Sequence, residues 1–268
     1  MANAFLLAPL APAGAIFQDS TLQAGQPAFA FNDYAGVTVQ LACDAGGNAA
    51  AFRFDLGADT AFDTVMVFGV ELLPQTAGQF VMRWATAAEG NFTGTYSQDN
   101  SGSCYAGSVL PVSGKGVSML MRSTPVTARY VQLIWYAGAA GQSIRFSRVV
   151  LGKRFQPTIG FEYGGQFGVR DLGALDVNAR GVLLRHRGKK LRTVSLNFPR
   201  LSKQEAESIA QKMLEQVGNT ECIAVCTDPM PDAERQNRCY FGPLVGDLSR
   251  TWATASGHEV RVNLLGLM

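Results

Sequence analysis

The chain has 268 residues, of which 47% are hydrophobic and only 16% charged, with 29 glycines and a formal net charge of +2. Abundant apolar residues and sparse charge exclude a disordered chain, which needs the reverse, and the near-balanced charge argues against nucleic-acid binding as the main role. No apolar run reaches the roughly 18 residues of a membrane-spanning helix, and so charge-poor a surface suggests cover by other subunits.

Ala4 to Leu10 is apolar, but Pro9 interrupts it and the first basic residue is Arg53, so the start reads as an ordered arm and not a secretion signal. Strands are expected at Ala51–Leu56, where Phe52, Phe54 and Leu56 share a face, and at Thr64–Gly69, an apolar run suited to a strand covered on both sides. Others follow at Gly78–Trp84, Arg129–Tyr136 and Ser143–Leu151, with turns at Asp44–Asn48, Pro74–Gly78 and Gln98–Ser103. Short strands, frequent turns and no convincing helix predict a β-sandwich or jelly roll over residues 1–152.

Composition steps at Gly152-Lys153-Arg154-Phe155-Gln156-Pro157. Residues 1–152 carry 7 basic and 9 acidic side chains, and residues 153–268 carry 16 and 12. A second domain over 153–268 is therefore expected. There Arg180–Gly188 is read as one arm of a hairpin with the strand that follows, Lys190–Phe198 alternates, and Ser202 with Glu205 forms a capping box opening a helix over 202–217. Ala206, Ile209, Ala210, Met213, Leu214 and Val217 make its apolar stripe, and Gly218 ends it. Glu221–Cys226, Cys239–Gly242 and Glu259–Leu265 complete a small sheet with one packed α-helix.

Chemistry is thinly signalled. The two histidines, His186 in a basic stretch and His258 in a polar turn, fall in no nucleophile or metal motif, and no enzyme activity and no cofactor are expected. Ser113–Gly116 and Gly160–Gly168 open no apolar helix, as a phosphate loop must. Asp55, Asp59 and Asp63 are read as turn formers in preference to calcium ligands. Cys222, Cys226 and Cys239 are read as buried small side chains in preference to a metal site, and Cys43 and Cys104 complete a scattered, odd set of five. Trp84 and Trp135 read as core among the aromatics that include Tyr136, whereas Tyr96 and Tyr105, in a Gly/Ser-rich stretch, are candidate carbohydrate contacts. Arg180, Arg185, Arg187, Lys189, Lys190 and Arg192 are candidate ring or partner contacts, with a solvated hairpin tip as the plainer reading.

Phe52–Gly57, Thr64–Gly69, Phe80–Ala85, Ala128–Leu133 and Ser143–Gly152 together resemble the galactose-binding-like (discoidin-type) jelly roll of long-tailed bacteriophage tail proteins. The continuation through Phe155-Gln-Pro157, the Gly-rich stretch to Gly168, the Leu-Asn-Phe-Pro run and the capped helix is similar to a distal tail or baseplate protein. The likeness covers most of the chain from about residue 50. It implies a tail-tube-like C-terminal β domain and a homo-oligomer, commonly a hexameric ring, at the virion tail tip. That ring would join tail tube and baseplate hub, with DNA only as passing cargo. Such proteins often place the tube-like domain first; here the order is reversed. The alternative is a carbohydrate-binding adhesin contacting host glycans.

Overall fold

The computed structural model describes residues 3–268 except 35, 44–47, 74–77, 138–140, 163, 247–249 and 255–256. In chain order the strands are β1 (Phe5–Leu7), β2 (Ile16–Gln18), β3 (Leu22–Ala24), β4 (Val39–Ala42), β5 (Ala49–Leu73), β6 (Gln79–Ala85), β7 (Ser97–Asn100), β8 (Gly116–Tyr136), β9 (Ser143–Phe146) and β10 (Arg148–Gly152). Then come β11 (Gln166–Asp171), β12 (Ala174–Val177), β13 (Leu183–His186), β14 (Lys190–Leu201), a π-helical stretch Glu205–Ala210 running into α1 (Gln211–Val217), β15 (Cys222–Cys226), β16 (Cys239–Pro243), β17 (Arg250–Thr254) and β18 (Gly257–Gly266). The protein is mainly β, and the strand pairings from β1 on β15 to β6 on β8 run antiparallel. The turns expected at Asp44–Asn48 and Pro74–Gly78 fall largely outside the described residues, as does the side chain of Ile209.

Two compact units form, Met1–Gln156 with Ile223–Cys239, and Pro157–Cys222 with Tyr240–Met268. Residues 223–239, expected in the second domain, thus lie in the first. The reason is β15, whose five residues are all buried and which pairs with the equally buried β1, Leu6 opposite Val225. Two short apolar strands, each covered on both faces, satisfy one another's backbone.

The first unit is a β-sandwich of the jelly-roll type whose strands run in the order β3-β4-β9-β5-β8-β6-β7, with β2 and β10 also on β5. The two segments expected as separate strands are both parts of the 25-residue β5, and 129–136 is the end of the 21-residue β8. Strands this long bend. At Gly69 (φ +71°) β5 passes from β10 to β9, and a Cβ there would lie 2.4 Å from Ser147 Oγ, the residue between those partners. Only a residue without a side chain fits that crossing. The core holds Phe52, Phe54, Phe80, Trp135 and Phe146, with Trp135 stacked on Phe146 at 5.0 Å and its Nε1–H donating to Ser118 Oγ at 3.1 Å. Trp84 is buried too, as expected.

In the second unit the sheet order is β11-β14-β18-β17. Cross-strand neighbours Val194–Leu264, Leu196–Val262 and Phe198–Val260 are all buried, the period-2 pattern of a sheet with one covered face. The helix beside β18 buries Ala206, Ala210, Met213, Leu214 and Val217. Its capping box is formed: Glu205 N–H donates to Ser202 Oγ at 3.2 Å, and Ser202 N–H donates to Glu205 Oε2 at 2.9 Å. Gly218 ends it at φ +55°. The expected hairpin is different. Leu183–His186 pairs with Ala174–Val177, and the strand after Gly188 pairs with β11, Asp171 opposite Lys190. Residues 166–195 therefore form one long arm that turns at Asn178, whose Oδ1 accepts from the N–H groups of Arg180 and Val182. An Asx turn at Asn178 competes with the Gly188 turn that composition favours and wins.

Candidate functional site

Strands β2, β5, β8, β6 and β7 lie side by side, and one row of residues crosses all five. Phe17 is opposite Arg53, Arg53 opposite Gln132, Gln132 opposite Arg83 and Arg83 opposite Gln98. Their neighbours Phe52, Phe54, Met82, Val131 and Leu133 are buried in the core, so alternation sends the row to the opposite face of the sheet. With strands spaced by about 4.8 Å, the row is about 19 Å long.

Polar and aromatic groups interleave along it. Asp19 accepts from Arg53 Nη2 at 2.7 Å and from Gln132 Nε2 at 2.6 Å, and Arg53 Nη1 donates to Asn91 Oδ1 at 2.8 Å. The Arg53 guanidinium lies 4.7 Å from the Phe17 ring and 5.9 Å from that of Phe92, which in turn lies 5.9 Å from Tyr96. Arg83 sits 4.9 Å over Tyr96, donating from Nε to Gln98 Oε1 at 3.0 Å and from Nη2 to the Tyr136 hydroxyl at 3.3 Å. Guanidinium–aromatic stacking of this kind fixes both partners without satisfying all of the arginine's donors.

The β6–β7 connection, which supplies Asn91, Phe92 and Tyr96, is pinned. Thr86 N–H donates to Glu89 Oε2 at 2.7 Å, Glu89 N–H donates back to Thr86 Oγ1 at 3.2 Å, and Ala87 N–H reaches Asp59 at 2.8 Å. The hydrogen bonds from Thr86, backbone first, hold the Glu89 carboxyl below its ordinary range. Phe92 adopts φ +56°, a conformation disfavoured for a bulky side chain, so the neighbouring contacts have to hold it.

Of the residues singled out from sequence, Tyr96 belongs to this face and is 41% exposed. Tyr105 has a different setting: its hydroxyl accepts from Leu72 N–H at 3.1 Å, and its ring occupies the space a side chain at Gly116 would need. It packs, half-buried, against the core. Arg180, Arg185, Arg187, Lys189 and Lys190 are exposed along the 166–195 arm, whereas Arg192 lies 4.1 Å over the Tyr240 ring. Asp55, Asp59 and Asp63 sit within continuous strand and not in turns. Asp55 is held bidentate by Arg129 at 2.8 and 2.9 Å, and this hydrogen-bonded pairing keeps its carboxyl below the usual value; Asp63 accepts from Arg154 N–H at 3.0 Å.

His258, expected in a polar turn, begins β18 and is buried against Trp252 at 4.4 Å. His186 is exposed on β13. All five cysteines are buried, and the Cys226 and Cys239 sulfurs lie 3.8 Å apart. Burial, and secondarily Cys43, pushes the Cys104 thiol up to about 12. Among the described residues no group of three or more His, Cys, Asp or Glu side chains is placed to hold a metal, and no helix is long and apolar enough to cross a membrane.

Sequence reasoning missed Phe17, Arg53, Arg83, Phe92, Gln98 and Gln132. The signal was present: the same period-2 count that puts Phe80, Met82 and Trp84 inside puts Arg83 outside.

No family model matches the chain. No curated protein matches it either. Solved structures do. Chitosan-binding module 1 of a chitosanase/glucanase from Paenibacillus sp. IK-5 is 14% identical, with 54% of this chain and 98% of that one covered and a TM-score of 0.40. The lectin domain of lectinolysin complexed with Lewis B antigen is 13% identical over 55% and 96% of the two chains, TM-score 0.38. A fucose binding module of Streptococcus pneumoniae is 16% identical over 55% and 96%, TM-score 0.38. Each is by name a saccharide-binding domain. None of these scores reaches 0.5, so the functional reading rests on this chain's own side chains.

Proposed function

We propose that the chain recognises carbohydrate through the outer face of its β-sandwich. The observation that carries this is the row Phe17–Arg53–Gln132–Arg83–Gln98 with Phe92, Tyr96 and Tyr136 around it. Sugars present apolar C–H faces that pack on aromatic rings and paired hydroxyls that suit planar amide and guanidinium groups; this face offers both in alternation. Its length accommodates several sugar rings. A glycan array with the intact protein is expected to give saccharide binding, and Tyr96→Ala is expected to weaken it about tenfold or more, by analogy with the loss of a well-packed interface aromatic. An array without signal would overturn this reading.

A second reading, a structural subunit of a phage tail-tip ring, is favoured by the 166–195 arm. Phe167, Val169, Leu172, Leu175, Val177, Val182, Leu183 and Leu184 are all exposed along it. So many exposed apolar side chains on one arm favour an interaction site, and Arg180, Arg185, Arg187, Lys189 and Lys190 on the same arm supply positive charge suited to an acidic partner surface. The two readings are compatible: a ring subunit at a virion tail tip that also contacts host glycans. Light scattering on the purified protein is the check. Oligomers are expected, and Leu175→Glu with Leu183→Glu is expected to shift them to monomer; a wild-type monomer at all concentrations refutes the ring.

A further inference from the structure

The binding reading leaves open which saccharides the face selects, and the distribution of charge across it narrows the choice. Six arginines precede residue 150. Arg53, Arg122, Arg129, Arg145 and Arg148 each face a carboxylate, from Asp19, Asp99, Asp55, Glu71 and Asp33 respectively. Arg83 has no carboxylate partner among the described residues. Half-buried on β6, beside the edge strand β7, it is surrounded by neutral groups: the Tyr96 ring, Gln98, Gln132 across the sheet and the Tyr136 hydroxyl. Its Nε is used by Gln98 and one Nη2 hydrogen by Tyr136, while Nη1 donates to no described residue. The fork formed by Nη1 and the second Nη2 hydrogen therefore remains open to a ligand.

The rest of the row explains why this matters. Asp19 neutralises Arg53 at one end, so that end presents a balanced, hydroxyl-binding set with Gln132 and Asn91. The other end carries uncompensated positive charge on a guanidinium oriented by Tyr96, Gln98 and Tyr136. A planar fork held by its neighbours is suited to bidentate pairing with a carboxylate, and a stacked aromatic beside it is suited to the attached sugar ring.

Resting on the carbohydrate reading, we infer that the ligand is an acidic saccharide, one whose carboxylate pairs with Arg83 while its ring packs on Tyr96. Uronic-acid oligosaccharides and carboxylated nonulosonic sugars share this chemistry.

The test uses the full chain against an array on which each carboxylated oligosaccharide, uronate or sialylated, stands beside its methyl ester, together with neutral and sulfated oligosaccharides. Calorimetry follows on the best probe. At least one free acid is expected to bind, and its methyl ester about tenfold or more weakly, the loss expected for a hydrogen bond to a charged group. Binding of the acid is expected to weaken with added salt. Arg83→Gln is expected to erase the difference between acid and ester, and Arg83→Lys to keep part of it. The acid–ester comparison uses the unaltered protein, so it stands even if a variant folds poorly. Esters or neutral sugars binding as tightly as acids would overturn the inference while leaving carbohydrate recognition intact, as would a sulfated probe exceeding every carboxylated one. No binding to any probe would overturn both.

Discussion

Asp55 shows how one side chain serves a strand. Its Oδ1 accepts from Gly57 N–H at 2.7 Å while both oxygens take the Arg129 guanidinium, so a carboxylate among strand residues is fully occupied. The Arg129 hydrogen bond lowers its pKa, opposed by burial. A depressed carboxyl pKa contributes stability that is present above the unfolded-state value of about 3.9 and is lost as pH falls through the lower folded value. Thermal unfolding followed against pH is therefore expected to show a drop in midpoint below about pH 4. Asp55→Asn should lower the neutral-pH midpoint and flatten part of that drop; an unchanged acid limb in the variant would assign the effect elsewhere. Its spacing from Asp59 and Asp63 gave no hint of this role, because Arg129 is distant in sequence and arrives only when β8 pairs with β5.

At the scale of elements, the helix after β14 was the most legible. A serine followed three residues later by a glutamate, then an apolar stripe, sets both the start and the buried face through local hydrogen bonding and helical period. The sequence did not reveal that Glu205 also accepts from Thr158, backbone and hydroxyl, at 2.8 and 2.9 Å, so that the cap doubles as an anchor for the segment after Pro157. Burial raises the Glu205 pKa, yet the hydrogen bonds from Thr158 and Ser202 outweigh it and leave the carboxyl below its ordinary value. Ser202→Ala is expected to cost about 1 kcal/mol, as a lost N-cap does, read by denaturant unfolding; a neutral result would mean Glu205 alone holds the turn. Strand pairing was less legible than strand location. Leu183–His186 is a strand, but it pairs with Ala174–Val177 and not with the strand after Gly188, since alternation marks a strand and says nothing about which edge it meets.

At the scale of the molecule, the first unit is closed by residues far along the chain. Gln236 is buried there, accepting from Val117 N–H at 3.2 Å through Oε1 and donating to the carbonyls of Gly107 and Val109 at 2.9 and 2.6 Å. Together with β15 on β1 it supplies hydrogen bonds that residues 1–156 cannot make for themselves. A fragment ending at Gln156 is accordingly expected to unfold well below the intact chain, each buried group left unpaired costing about 1–3 kcal/mol. Restoring 223–239 as a peptide should recover part of the loss. A fragment as stable as the whole chain would show that this return is dispensable. The glycan array and the light-scattering measurement belong to this scale too, because the row proposed to bind saccharide spans five strands and the proposed oligomer would form through the whole 166–195 arm.

What the residues determined by themselves was local and periodic. The mainly-β character, the helix and its cap, the buried Trp84 and Trp135 and the outward parity of Arg83 all follow from alternation, capping chemistry and side-chain size over a few neighbours. What only the tertiary structure decided was who meets whom. Examples are Ile223–Cys239 returning to the first unit, Tyr105 turning inward, Asn178 and not Gly188 setting the turn of the arm, and Phe17, Arg53, Gln132, Arg83 and Gln98 aligning in one row. Those five positions are spread from residue 17 to residue 132 of the 268. Their alignment depends on strand register, which is set by the packing of the whole sandwich and leaves no mark on any short stretch of sequence.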